Sequence, residues 1–269
     1  MRVLAVNDLS CVGRCSLTVA LPVISACGVP CTVLPTALLS THTGGFENYT
    51  FLDLTDELTS ILRHWKSLGL TFDFIYSGYL GSESQIDTVL FLQKEFLSRG
   101  GKLVVDPVMG DSGKLYDGFT PLFVQKMREL CRAADYILPN RTEACLLTDL
   151  PFETDGKTLA DALQTFTACP IVTGMEEEKE IAVYYSVQNK THRYATPTTQ
   201  GFFCGAGDVF ASSFVASLAL GKTVETAIPL CADFTTACIE RSAIEVQDKR
   251  YGLNFEKELF PFVKKLREE

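Results

Sequence analysis

Short apolar runs alternate with helical patterns along this chain, and each run ends on a polar, often glycine-bearing loop. Arg2–Val6 reads as a buried strand that stops at Asn7-Asp8, and Leu17, Leu21 and Ile24 then mark a helical face ending at Gly28-Val29-Pro30. Cys31–Leu34, Phe72–Tyr76, Lys102–Val105, Tyr136–Leu138 and Ile171–Thr173 repeat the strand pattern. Helical spacing fills the intervals at about 54–66, 83–98, 121–132, 143–147 and 159–166. Ile181–Val187 and Thr191–Ala195 read as a hairpin around Gln188-Asn189-Lys190, and helices follow at about 208–220, 224–239 and 255–267. The alternation predicts an α/β fold: a central, mostly parallel sheet covered by helices on both faces. Ligands of such sheets bind beyond the carboxyl ends of the strands, where the polar loops fall. At 269 residues and 46% hydrophobic content, with no linker, repeat or low-complexity tract, the chain reads as one domain over 1–269. The charge run Glu176-Glu177-Glu178-Lys179-Glu180 reads as a solvated loop.

A net charge of −9 and a pI near 5.0 disfavour nucleic acid and anionic membrane as partners. No apolar run approaches the roughly 20 residues of a membrane span. The N-terminus reaches polar Asn7-Asp8 too early for a secretory leader, so a cytoplasmic protein is expected. Ten cysteines then read as reduced thiols, mostly buried small hydrophobes. Cys11-x-x-x-Cys15 and Cys27-x-x-x-Cys31 lack metal-ligand spacing, and the sequons at Asn48, Asn140 and Asn189 are incidental in that compartment.

The segment Phe203-Cys204-Gly205-Ala206-Gly207-Asp208-Val209-Phe210 carries the most chemistry. A small-residue turn lets backbone N–H groups approach an anion, and the helix that follows adds the positive end of its dipole. Asp208 beside that cradle suits deprotonation of a hydroxyl while charge builds on a transferring phosphoryl group. The plainer reading is a loop with an aspartate in the first helical turn, where its charge is favourable anyway. The segment is not a Walker A loop: Gly156-Lys157-Thr158 and Gly221-Lys222-Thr223 both lack the first glycine, with Pro151 and Ala216 in its place.

Further loops follow strands. Asp106-Pro107-Val108-Met109-Gly110-Asp111 carries two carboxylates fit for Mg²⁺, directly or through water, or is an ordinary turn. Asn140-Arg141-Thr142-Glu143 has the spacing of a capping box and can also present a carboxylate to a metal-bound water and nucleotide phosphates. Thr173-Gly174 offers a hydroxyl and free backbone at a strand end, to a nucleotide or a monovalent cation. Ser40-Thr41-His42-Thr43-Gly44, Asn7-Asp8-Leu9-Ser10 and Ser77-Gly78-Tyr79 bring hydroxyls, an imidazole and a phenol that suit a small polar ring. Taken alone, His42 reads more readily as a structural histidine than as a catalyst.

From Val3 to about Glu240 these segments together resemble the ribokinase-like superfamily, within it the pyridoxal/pyridoxamine (vitamin B6) kinase branch. Gly205-Ala206-Gly207-Asp208 matches G-[AT]-G-D, which implies Asp208 as base and 205–207 as anion hole. Asp106–Asp111 matches D-P-V-[LM]-G-D, implying nucleotide contact at Asp106 and Mg²⁺ at Asp111; Asn140 and Glu143 match N-x-x-E, which acts on metal and phosphates. Thr173 aligns with a hydroxyl residue of the nucleotide site. Ser40–Gly44 is similar to S-N-H-T-G and Ser77–Tyr79 to [ST]-G-Y, which implies substrate contacts at His42, Thr43 and Tyr79. The branch's S-[IV]-Q-S-H-V is replaced by Ala5-Val6-Asn7-Asp8-Leu9-Ser10, leaving Asp8 or Ser10 in the serine's place. The resemblance implies a three-layer α/β/α sandwich and a cytoplasmic homodimer. It also implies ATP as co-substrate with Mg²⁺, a possible K⁺ or Na⁺ site, and a B6 vitamer phosphorylated on its 5′-hydroxymethyl group. The alternatives are a hydroxymethylpyrimidine kinase, to which the aspartate at position 8 points, and a non-catalytic B6-binding protein on the same fold.

Overall fold

The computed structural model describes residues 1–198, 203–245 and 248–268. In chain order the elements of the first half are β1 (Val3–Val12), α1 (Leu17–Ala26), β2 (Cys31–Thr41), β3 (Phe51–Asp53), α2 (Thr55–Ser67), β4 (Phe72–Ser77), α3 (Glu83–Phe96) and β5 (Leu97–Val105). A small hairpin of β6 (Gly110–Asp111) and β7 (Lys114–Leu115) leads to α4 (Pro121–Ala133), β8 (Tyr136–Ile137), α5 (Arg141–Thr148) and α6 (Gly156–Leu163). The chain continues through β9 (Cys169–Glu177), β10 (Glu180–Val187), β11 (Lys190–Pro197), α7 (Ala206–Ala219), α8 (Val224–Glu245), a 3₁₀ turn at Lys249–Tyr251, and α9 (Glu256–Glu268).

Nine strands form one sheet in the order β11-β10-β9-β8-β5-β4-β1-β2-β3. The pairs from β9 through β2 are parallel, whereas β3 and the β10–β11 hairpin add antiparallel edges. Strand alternation splits the core in two. Val3 and Ala5 join the side chains of α1, α7, α8 and α9 on one face, while Leu4 and Val6 join those of α2 to α6 on the other. The expected three layers are therefore present, with apolar burial on both sides of the sheet as the main stabilising contribution.

Several boundaries differ from the sequence reading. β1 does not stop at Asn7-Asp8: it pairs with β2 as far as Val12↔Thr41, past an irregularity between Asn7 and Leu9. Polar Asn7, Asp8 and Ser10 are thus strand residues, buried where the two strands outrun the rest of the sheet. Ser40 and Thr41 lie on β2 for the same reason. β3 and the β6–β7 hairpin are additions, and in the latter a Cβ on Gly110 would meet the Lys114 carbonyl oxygen at 2.5 Å. α3 ends at Phe96, so Leu97–Gly101 extends β5 rather than the helix. The acidic run is a hairpin turn between β9 and β10, with Glu177 accepting from Tyr184 Oη at 2.6 Å and Arg193 Nη2 at 2.7 Å. The ten cysteines are free thiols, seven of them buried.

Candidate functional site

Helix α7 begins where β1 and β5 bring their polar ends. Its N-cap, Gly205, has φ +81°, and a Cβ there would lie 2.1 Å from the Arg14 carbonyl oxygen. Glycine is therefore required on both counts. Gly205 has no side chain with which to cap the helix, and the N–H groups of Ala206, Gly207 and Asp208 have no partner within it. Partial positive charge thus gathers at a half-buried carboxylate, Asp208, in the first turn.

Burial lifts the Asp208 carboxyl to about 7; the Asp8 charge adds to the rise, while the Ser16 N–H and the Asn7 amide oppose it. Such a group is poised near neutrality, where a general base is most effective. Ser16 serves this arrangement at a backbone cost. It caps α1 with φ +53° and ψ −130°, a conformation that side-chain-bearing residues rarely adopt, and from there its N–H faces Asp208.

On β1, Asp8 is 5% exposed and accepts from Ser10 Oγ at 2.9 Å. Burial raises its carboxyl too, against the hydroxyls of Ser16 and Ser10. Tyr79 is half-buried after β4, and its ring lies 5.9 Å from that of Phe119. Thr43 is exposed on the loop after β2. His42 spends both ring nitrogens on backbone: Nδ1 accepts from Gly44 N–H at 3.0 Å, so Nε2–H donates to the Arg250 carbonyl at 2.6 Å. The imidazole thereby fastens the Thr43–Phe46 loop to the 3₁₀ turn, where Phe46 also packs edge-on against Tyr251 at 5.4 Å. The sequence offers two segments as covers that could exclude water, Thr43–Phe46 and Thr198–Cys204, and the second falls mostly on 199–202, outside the described residues.

Three further carboxylates, those of Asp106, Asp111 and Glu143, stand after β5, on β6 and in α5. Asp106 follows β5, 8% exposed, with Oδ2 3.9 Å from where a Cβ of Gly207 would lie. Burial and then the Asp208 charge push its carboxyl well above the usual range. Glu143, 2% exposed, is raised by burial and by Asp106. The capping box is formed: Asn140 Oδ1 accepts from Glu143 N–H at 2.9 Å, and Glu143 Oε2 accepts from Asn140 N–H at 2.9 Å. Glu143 Oε1 also accepts from Met109 N–H at 3.2 Å, joining α5 to the Asp106–Asp111 loop. Asp111 is half-buried on β6 and accepts from Ser112 N–H at 2.7 Å. Thr173 bridges Asn140 on β9, its N–H donating to the Pro139 carbonyl at 2.9 Å. Among the described residues no lysine or arginine pairs with Asp106, Asp111, Glu143 or Asp208.

The sequence reading missed Asn7 and Ser16 as parts of the site. Asn7 stood in a quoted segment, but its partners lie 72 and 201 positions away. Nothing local marks Ser16.

The sequence profile of the phosphomethylpyrimidine kinase family matches residues 19–254. A Bacteroides thetaiotaomicron protein described as a phosphomethylpyrimidine kinase superposes with TM-score 0.93 at 36% identity, covering 97% of this chain and 93% of that one; an orthorhombic crystal form of it was solved with pyridoxal. Pyridoxal kinase from Lactobacillus plantarum gives TM-score 0.92 at 32% identity, covering 100% of this chain and 98% of that one. Pyridoxal kinase PdxY of Rubrobacter xylanophilus is 27% identical over 266 residues, 92% of this chain and 91% of that one.

Proposed function

The chain belongs to the phosphomethylpyrimidine kinase family, and we propose that it transfers the γ-phosphoryl group of ATP to the 5′-hydroxymethyl group of pyridoxal, pyridoxamine or pyridoxine. One observation carries the reading: a carboxyl lifted to about 7 stands in the first turn of a helix whose N-cap is a glycine, with no side chain of its own to cap the free N–H groups. Asp208 takes the hydroxyl proton. The N–H groups at 206–208 and the dipole of α7 stabilise charge on the transferring group. Positioning and charge stabilisation supply most of the rate in this chemistry, so little covalent work falls to the protein. Pyridoxal in the Bacteroides crystal form and the pyridoxal kinase relatives support the choice of acceptor.

The acidic site fits Mg²⁺ in its donor set: hard carboxylate oxygens whose proton affinity is raised by burial and by one another, with no lysine or arginine paired to them among the described residues. Asp111 and Glu143 would hold it, directly or through water. No cluster of three protein ligands exists among the described residues, which suits an ion that keeps phosphate and water oxygens. When bound, Mg²⁺ neutralises phosphate charge. Asp106, Asn140 and Thr173 line the nucleotide side, and the loop Thr43–Phe46 excludes water from the acceptor.

ATP and Mg²⁺ incubated with each vitamer, hydroxymethylpyrimidine and a sugar, read by mass spectrometry, test the assignment. A phosphorylated vitamer and vitamer-dependent ADP release are expected; no transfer to any vitamer refutes it. Hydroxymethylpyrimidine belongs in the panel because Asp8 or Ser10 takes the place of the resembling branch's serine, and an aspartate near there points to that acceptor. Tyr79→Ala is expected to raise the vitamer KM about tenfold, the scale of one aromatic contact, with the ATP KM within about twofold. An unchanged vitamer KM would place the ring elsewhere.

A further inference from the structure

We propose that Asn7 is a positioning residue that couples the acceptor pocket to the proton acceptor. Its side chain is fully buried in β1. Oδ1 accepts from the Tyr79 N–H at 2.7 Å and from the Asp8 N–H at 3.0 Å. Two converging donors fix which end of the amide is oxygen, so Nδ2 must face the other way. There it donates to Asp208 Oδ1 at 3.5 Å, a long bond of the kind that tightens when substrate arrives. The backbone is built around this amide. Strand pairing is irregular between Asn7 and Leu9, and a Cβ on Gly78 would lie 2.2 Å from Nδ2. One rigid group therefore sets the register of the ring-side residues Asp8 and Tyr79 and the direction of the base. Among the described residues no other side chain bonds to both sides.

The inference rests on the kinase reading, and its test separates the two. Asn7→Asp is nearly isosteric and keeps the oxygen that accepts from Tyr79 and Asp8, but it turns the donor facing Asp208 into an acceptor. Two carboxylates then contend for one proton. The other titratable groups whose charges act with Asp208 are Asp8 on β1, Asp106 after β5, Cys15, Tyr76 on β4 and Cys204, and all are unchanged by the substitution. The expected result is an acid limb of the pH–rate profile moved up by about one unit, which lowers kcat at pH 7 about fivefold, with the acceptor KM within about threefold. Asn7→Ser, a smaller side chain that cannot reach Asp208, is the second variant and should move the limb the same way. NMR titration of ¹³C-aspartate-labelled protein, assigned against Asp208→Asn, reads the carboxyl without turnover. Its midpoint should rise in both variants. A wild-type rate, profile and carboxyl midpoint in both variants overturns the inference while leaving the kinase reading intact. Absence of wild-type transfer to any vitamer removes the kinase reading, and the carboxyl titration alone then decides whether Asn7 governs Asp208.

Discussion

Asp208→Asn is expected to lower kcat by about 10²–10⁴-fold, the scale of a lost general base, and to stabilise the ligand-free fold at the same time. The two effects have one cause. Burial raises this carboxyl from 3.8 to about 7 in the folded chain. Between those values the folded state holds a proton that the unfolded state has released. The stabilising contribution is therefore complete below about pH 4 and is lost as pH rises through about 7, above which the buried negative charge opposes folding. Asparagine has no proton to lose. The Tm difference, variant minus wild type, should grow from pH 5 to pH 8 and then level off, while wild-type kcat climbs through about pH 7. ATP binding should persist in the variant, because the nucleotide-side residues Asp106, Asn140 and Thr173 are untouched. Near-normal turnover, or a Tm difference that shrinks as pH rises, would remove the carboxyl from the role of base. A group placed for chemistry at some expense to stability is the usual sign of a functional site.

The layers of this fold were legible because both periods were clear. Apolar strands such as Phe72–Tyr76 and helices such as Pro121–Arg132 follow their own spacing, and the hairpin at Gln188-Asn189 was legible from its turn residues, both of which adopt positive φ. The capping box at Asn140 and Glu143 was legible for a similar reason, since all its parts lie within one turn. What the local pattern hides is any role completed from afar. Asn7, Asp8 and Ser10 look like the polar end of a strand, yet β2 continues beside them and keeps them paired. β3 is three residues long and wholly exposed, too short to display a period. The imidazole of His42 was singled out by residue type, but its partner is a carbonyl 208 positions away, which makes it a fastener of the substrate loop. Candidate site residues were thus readable where the pattern lies in one short segment, as at Gly205–Asp208, and unreadable where it needs the folded juxtaposition of β1, β4 and α7.

That juxtaposition can be disturbed without touching an ionisable group. Gly205→Ala should reduce kcat by about 10²–10³-fold, comparable to the loss of an oxyanion donor. The added methyl would meet the Arg14 carbonyl oxygen at 2.1 Å and carbon at 3.2 Å, and these backbone atoms have no rotamer with which to escape. The φ of +81° adds a cost of about 1–2 kcal/mol for a residue with a side chain. The least disruptive relief is for the first turn of α7 to shift, because the rest of that helix is buried. A shift there carries the N–H groups of Ala206 and Gly207 away from the phosphoryl position while the Asp208 carboxyl keeps its chemistry. The acid limb of the pH profile should consequently stay near its wild-type position as the plateau falls, the opposite of the pattern expected for Asn7→Asp. Gly101→Ala provides the control for general destabilisation: its Cβ, in the middle of β5, would press on the Asp73 carbonyl oxygen at 2.9 Å, near the start of β4 and away from the site-bearing ends of both strands. It should lower Tm and leave the turnover of the folded enzyme unchanged. Equal kcat losses in the two glycine variants, or none in Gly205→Ala, would show that the start of α7 does not cradle the transferring group.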